Sequence, residues 1–192
     1  VLMYLGESYI TQSKYKLALT PLNLGYELSM QNIMLSSDFE RNLNIRRYGM
    51  LLYQNYAQLG KYKEAIQICH EIFPFCQPTD QNCTEYKLAI YNTLRDYYGK
   101  TGEYDSALES AKQGLSLVEQ DFGKTSEMYV TYLYNVAIQY KSLGDCDTAL
   151  VLIKKSIQVY EENQMSNPDL FLKIQSGLAE SYSCLDSLEK SL

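Results

Sequence analysis

A tyrosine recurs along this chain at a nearly constant interval, and that period limits the possible folds more than any other feature. The first two tyrosines are 47 positions apart, and each later pair is 42 positions apart. A period of this size is typical of a stack of repeated supersecondary units, and such stacks usually act as binding surfaces. The sequence thus indicates a class of function but no particular partner. The recurring residues are Tyr9, Tyr56, Tyr98, Tyr140 and Tyr182.

Four further positions keep a fixed distance from the tyrosine in most repeats. In the second repeat, Leu52 comes four residues before Tyr56. Gly60, Tyr62 and Ala65 follow that tyrosine by four, six and nine residues. The leucine and the first tyrosine share one face of a helix, and the glycine marks the end of that helix. The second tyrosine begins another helix, whose alanine permits close packing. The predicted fold is therefore all-α, a series of stacked antiparallel helical hairpins.

The first repeat departs from this pattern at two positions. Ser13 stands where the next three repeats have glycine, and Pro21 falls early in the predicted second helix. A proline inside a helix removes a backbone hydrogen bond and clashes with the preceding turn. We therefore expect the second helix of this repeat to start late or to kink.

The spacing of these residues resembles the signature of the tetratricopeptide repeat. Residues 52–65, 94–107 and 136–149 carry its Leu, Tyr, Gly and Ala positions with few departures. The period is longer than the usual length of roughly 34 residues. Residues 122–137 are similar to the long-helix variety found in kinesin light chains and bacterial signalling proteins. The resemblance implies an α-solenoid, a right-handed superhelix of about four and a half repeats.

We expect one repeat domain over residues 1–192, as a piece of a longer protein. A chain that starts and ends inside a repeat should expose apolar faces at both ends, which would allow oligomers to form. The approximate repeats are residues 1–40, 41–82, 83–124, 125–166 and 167–192.

Composition narrows the class of partner. The formal net charge is −6 at neutral pH, which argues against nucleic acid as a ligand and leaves a protein or peptide as the expected partner. An acidic balance suits a basic partner segment and is also an ordinary aid to solubility. The chain has no run of 18 apolar residues, so we predict no membrane span.

The five cysteines bear on the compartment. An odd number without a compact framework favours a reducing compartment, and hence the cytoplasm, with a periplasmic or other extracytoplasmic location as the alternative. Cys69 and Cys146 fall at predicted core positions, where a small apolar side chain packs well. The sequence leaves open whether Cys76 and Cys83 pair as a disulfide.

The sequence gives little support for catalysis. Gly99-Lys100-Thr101 and Gly123-Lys124-Thr125 look like the end of a phosphate-binding loop, but each lacks the glycine five residues earlier and is expected between helices. His70 is the sole histidine and is expected at the surface, so a nucleophilic serine or cysteine has few candidate bases. The cysteines near it are seven residues apart, a spacing unsuited to zinc. We predict no enzyme, no metal site and no cofactor.

A ligand would bind the stripe that the first helices present to the concave side of the stack. Residues two and six positions before the recurring tyrosine lie on one face of the helix. Their amide and apolar side chains would suit the backbone and side chains of a peptide. The family resemblance adds Asn135, because in long repeats an asparagine at this position contacts the peptide backbone. The predicted groove residues are Met50, Gln54, Asn92, Asp96, Tyr134, Asn135, Ile138 and Glu180.

The leading functional hypothesis is a non-catalytic scaffold that binds a peptide or partner segment in this groove. One alternative is a sensor or regulatory domain of a larger signalling or transcription-regulating protein, as the resemblance to bacterial arrays implies. Another is a module that associates with itself through its end faces.

Overall fold

The computed structural model describes residues 1–31, 37–76 and 82–189, and helices are the only regular secondary structure in these segments. The prediction of an all-α fold is confirmed. A short 3₁₀ helix, Phe73–Phe75, follows α4. The α-helices are α1 Leu2–Thr11, α2 Tyr15–Met30, α3 Asp38–Gln58, α4 Tyr62–Ile72, α5 Cys83–Thr101, α6 Tyr104–Asp121, α7 Glu127–Ser142, α8 Cys146–Glu162 and α9 Pro168–Glu189.

The second helix of each hairpin begins at the residue six positions after the recurring tyrosine. This holds for Tyr15, Tyr62, Tyr104 and Cys146, as the spacing predicts. The alternative of a late start in the first hairpin is therefore wrong. Pro21 lies inside α2 and is buried beside a fully buried leucine, so the packed face holds the helix although the proline donates no hydrogen bond.

The turn inside each hairpin depends on a left-handed backbone four residues after the recurring tyrosine. Gly60, Gly102 and Gly144 have φ of +72°, +81° and +84° there. Ser13 adopts φ +57° at the same position, although its side chain disfavours that region. Asp186 occupies the position in the fifth repeat, and α9 continues past it to Glu189. The first helix of that repeat therefore does not end at the expected place.

One hydrogen bond explains why this conformation recurs. The amide of the residue five positions after the tyrosine donates back to the tyrosine carbonyl: Lys61 to Tyr56 at 2.9 Å, and Asp145 to Tyr140 at 3.0 Å. Lys14 makes the same bond to Tyr9 at 2.8 Å. Such bonds satisfy the last carbonyls of a helix and require the left-handed residue between them.

The phosphate-loop-like run at residues 99–101 has a different place from the one expected. Gly99, Lys100 and Thr101 form the last turn of α5 rather than a connection between helices. Backbone amides inside a helix are already hydrogen-bonded and cannot hold a phosphate. The other run, residues 123–125, does lie between α6 and α7, where Gly123 has φ +78°.

The chain divides into two compact units, residues 1–101 and 102–192. Within each unit, consecutive helices pack against each other. In the first unit the core is built from α2, α3, α4 and α5, with Ala18, Leu52, Ala65 and Cys69 fully buried. In the second unit, Ala149 and Ile153 of α8 are fully buried, and Ile153 packs with α7 and α9. The alanine that follows the recurring tyrosine by nine positions therefore lies in the core of both units.

Three of the recurring tyrosines, Tyr98, Tyr140 and Tyr182, are each contacted by a side chain of the preceding second helix at the same sequence offset. In the second unit, the ammonium of Lys112 lies 5.1 Å from the ring centre of Tyr140. The ammonium of Lys154 lies 5.4 Å from the ring centre of Tyr182. The first unit has a histidine instead, and His70 Nε2 is 2.7 Å from the hydroxyl of Tyr98. In all three pairs the tyrosine follows its partner by 28 positions.

Four of the cysteines are paired. Cys76 pairs with Cys83, with Cα atoms 5.6 Å apart, and Cys146 pairs with Cys184, with Cα atoms 6.1 Å apart. Cys69 is buried and has no disulfide partner. Burial raises the pKa of its thiol to about 12. The sequence gives no sign of the second pairing.

None of the described helices combines the length and the apolar composition that a bilayer-spanning segment needs.

Candidate functional site

The predicted groove residues of the first unit lie on α3 and α5. Met50 is half-buried against the core, while Gln54 is exposed. On α5, Arg95 links the two predicted residues. Its guanidinium donates to the amide oxygen of Asn92 at 3.0 Å and to the carboxylate of Asp96 at 2.7 Å. The arginine therefore fixes the orientation of both side chains, although sequence reasoning did not single it out.

A cavity of about 790 Å³ opens where α3 ends, α4 begins and the last turns of α5 pass alongside. We call this site the α3–α5 corner. It contains one predicted groove residue, Asp96, which is exposed. Its full lining is Ala57, Gln58, Gly60, Tyr62, Asp96, Tyr97 and Lys100.

Two tyrosines form the aromatic part of the α3–α5 corner. The ring centres of Tyr62 and Tyr97 are 5.6 Å apart, and Tyr97 also meets the ring of Tyr53 edge-on at 6.3 Å. Burial raises the pKa of the Tyr97 hydroxyl well above its usual value. This hydroxyl therefore stays protonated at neutral pH and can both donate and accept a hydrogen bond.

Charges of both signs line the α3–α5 corner. Asp96 and Lys100 are one helical turn apart, and Arg95 pairs with the carboxylate. A corner of mixed charge does not select a simple anion or cation. Its amide, hydroxyl and aromatic groups suit a short stretch of polypeptide, which presents backbone polar groups and side chains together. The volume lies within the range of ordinary ligand sites.

The predicted residues of the second unit lie on α7 and α9. Tyr134 and Asn135 are each 8% exposed, so a ligand could touch little more than their edges. The Tyr134 ring packs over Gly177, where an added Cβ would lie 2.5 Å from the ring, and under the ammonium of Lys173. Ile138 is half-buried against the core. Sequence periodicity does not reveal this burial, because it depends on the small residue that α9 supplies.

Glu180 is exposed and forms an ion pair with Lys141. The hydrogen bond and charge of Lys141 hold the pKa of Glu180 below its usual value. Burial raises the pKa of Tyr134, and the negative charge of Glu180 raises it further. This carboxylate is therefore paired within the second unit, as Asp96 is paired with Arg95 in the first.

The sequence matches no protein-family model, and no curated protein matches it. Solved structures share its fold. One is a point variant of nearly identical tetratricopeptide-like repeats, ascribed to a kinesin light chain of Podospora anserina. It has a TM-score of 0.73 at 17% identity, over 98% of this chain and 87% of that one.

Two further structures agree. BtubC from P. vanneervenii has a TM-score of 0.66 at 15% identity, over 98% of this chain and 77% of that one. A tetratricopeptide-like protein of Chlorobium tepidum has a TM-score of 0.55 at 16% identity, over 80% of this chain and 99% of that one. The chain therefore has the fold of tetratricopeptide-like repeat proteins, and the resemblance seen in the sequence is confirmed.

Proposed function

We propose that this protein is a non-catalytic interaction scaffold that binds a peptide or partner segment along its first helices. The α3–α5 corner is the observation that supports this proposal. It is an open cavity of ligand-site volume, and Asp96, one of the predicted groove residues, forms part of its wall. The acidic net charge supports a protein partner over nucleic acid.

The partner segment would be extended and amphipathic. Tyr62 and Tyr97 offer ring surface to an apolar side chain, and Gln58 can pair with a backbone amide and carbonyl at once. Asp96 and Lys100 would favour a segment with a basic and an acidic residue in succession. Met50 and Gln54 on α3 and Asn92 on α5 lie one or more turns before the cavity, and in this proposal they extend the binding surface along the two helices.

A peptide-display selection tests this function. Peptides selected from a random displayed library against the whole chain would be measured for Kd with the native protein and with Asp96→Lys. We expect the charge reversal to weaken binding about tenfold or more, because an anion in the cavity wall becomes a cation. Asp105→Lys is the matched control, since this exposed aspartate of α6 lies outside the corner.

The outcomes separate the assignments. Equal loss in both variants would indicate a general effect of charge. Binding that neither variant changes would place the interface elsewhere on the protein, and the corner assignment would be wrong. Far-UV circular dichroism of each variant checks that the helices are intact.

A second candidate function, association with another copy, rests on the outer face of α1. Leu5 is 43% exposed, whereas its counterparts Leu52 and Val136 are at most 3% exposed. Val1 and Tyr4 are exposed beside it. An apolar patch of this kind favours association. Sedimentation at increasing concentration should show an oligomer that Leu5→Glu abolishes; a native protein that stays monomeric would exclude this function.

A further inference from the structure

The corner at which α3, α4 and α5 meet has equivalents at other junctions between repeats. Residues 84 positions apart occupy the same place two repeats later, so Tyr62 corresponds to Cys146 and Lys100 corresponds to Cys184. Tyr62 and Lys100 both line the open α3–α5 corner. A smaller cavity of about 350 Å³ lies at the preceding junction, where Tyr15 takes the place of Tyr62.

In the second unit the equivalent position, the α7–α9 corner, is bridged by side chains that join its helices. Cys146 at the start of α8 is paired with Cys184 near the end of α9. Lys141 and Glu180, which correspond to Ala57 and Asp96, form an ion pair between α7 and α9. Tyr62 and Lys100, which line the cavity in the first unit, are thus replaced in the second unit by two cysteines that are bonded to each other.

The backbone is already placed for this bond. The Cα atoms of Cys146 and Cys184 are 6.1 Å apart, inside the range that disulfides span. Cys146 is 1% exposed and Cys184 is half-buried. Cys184 is therefore the more accessible residue of the two.

We propose that the disulfide between Cys146 and Cys184 is a clamp that holds the α7–α9 corner closed until it is reduced. The oxidant is a dithiol oxidoreductase in its disulfide form, or glutathione disulfide. The Cys184 thiolate attacks the disulfide of the oxidant, which releases one thiolate. The Cys146 thiolate then attacks the Cys184 sulfur and displaces the second. Two electrons pass to the oxidant, and the two protons released by the cysteines end on its thiols.

The clamp has a consequence for the compartment. Stable disulfides form outside the reducing cytosol, so the working form of this chain belongs in an oxidising environment. The extracytoplasmic alternative then replaces the cytoplasm as the favoured location. A consequence for ligands rests on the proposed function: while the clamp is closed, a partner segment uses the open corners of the first unit.

Thiol mapping tests the bond. The whole chain is refolded in a mixture of reduced and oxidised glutathione, denatured, alkylated without reductant and digested. We expect mass spectrometry to find the Cys146 peptide joined to the Cys184 peptide, with Cys69 alkylated. Alkylation of both Cys146 and Cys184 would overturn the proposal.

Hydrogen exchange tests the clamp. In Cys184→Ser, and in the native protein after reduction, exchange across residues 139–146 and 180–186 should quicken about tenfold because the end of α9 can open locally. Cys83→Ser removes the other disulfide and should leave both segments unchanged. Exchange that is the same with and without the bond would overturn the clamp, and this readout involves no ligand. Should Cys184→Ser fail to fold, the reduced native protein still gives the answer.

Discussion

Ser13 shows how a single residue can lower the stability of a repeat. It holds φ +57° at a position where three later repeats use glycine. For a residue with a Cβ atom this conformation costs roughly 1–2 kcal/mol. Since the strain is local to the turn, the cost is carried by the packing of α1 against α2.

We expect Ser13→Gly to raise the free energy of unfolding by about 0.5–1 kcal/mol, since glycine relieves the strain but adds freedom to the unfolded chain. Thermal unfolding followed by circular dichroism measures the change. The reverse substitution at the equivalent position, Gly60→Ser, should destabilise the protein, because serine disfavours the left-handed backbone at φ +72°. The added Cβ has nothing within 4 Å, so steric clashes do not contribute to this loss. A stabilising Gly60→Ser would contradict this explanation.

At the scale of the helix, one contact between a second helix and the next first helix recurs along the chain, and it joins a lysine or histidine to the recurring tyrosine. Lys112 on α6 and Lys154 on α8 make this contact with Tyr140 and Tyr182. The partners of these tyrosines recur with the same period as the tyrosines themselves, at His70, Lys112 and Lys154. This second repeating position is therefore visible in the sequence.

We expect Lys112→Met to lower the free energy of unfolding by about 0.5–1 kcal/mol, because the methionine keeps much of the apolar stem but loses the charge above the ring. Urea denaturation gives the value. Lys112→Arg should restore the stability. The control, Lys155→Met, changes an exposed lysine of α8 outside this column and should leave the midpoint nearly unchanged.

The sequence was sufficient for the type and order of the helices and for the start of the second helix in the first four hairpins. Periodicity reports a position that every repeat must satisfy, such as the glycine of each turn or the buried alanine. It does not report features that belong to one repeat. The burial of Tyr134 depends on Gly177 in the next repeat, and the pairing of Cys146 with Cys184 occurs at one junction. The helical position of Gly99 likewise follows from where α5 ends.

At the scale of the whole molecule, burial shifts the pKa values of ionisable groups in both units. It raises the pKa values of several groups in the first unit and that of Tyr134 in the second. In the folded state these groups keep their protons to higher pH than in the unfolded chain. The stability that they contribute is therefore complete below about pH 8.5–10 and is lost as pH rises through the folded pKa values. The groups of the first unit are Tyr26, Tyr48, Tyr53, Cys69, Tyr86 and Tyr97.

We expect the first unit to lose stability as pH rises above about 9. Circular dichroism melts at increasing pH, combined with limited proteolysis at each pH, would show whether this unit becomes open to cleavage. Tyr97→Phe removes one titrating hydroxyl and should flatten the fall in Tm with pH. Tyr104→Phe, an exposed tyrosine of the second unit, should not. An unaltered slope in Tyr97→Phe would show that this hydroxyl does not contribute.

The constant offset between a basic side chain and its tyrosine has a consequence for how such a chain can change in length. Each contact is specified within a single period, so copying one whole period in register reproduces a complete junction, with Tyr98, Tyr140 and Tyr182 still at the same distance along the chain from their partners. An insertion of any other length inside the offset separates some tyrosine from its partner. Gene duplication can therefore lengthen this protein in whole modules, whereas smaller insertions are confined to the connections that lie outside the interval.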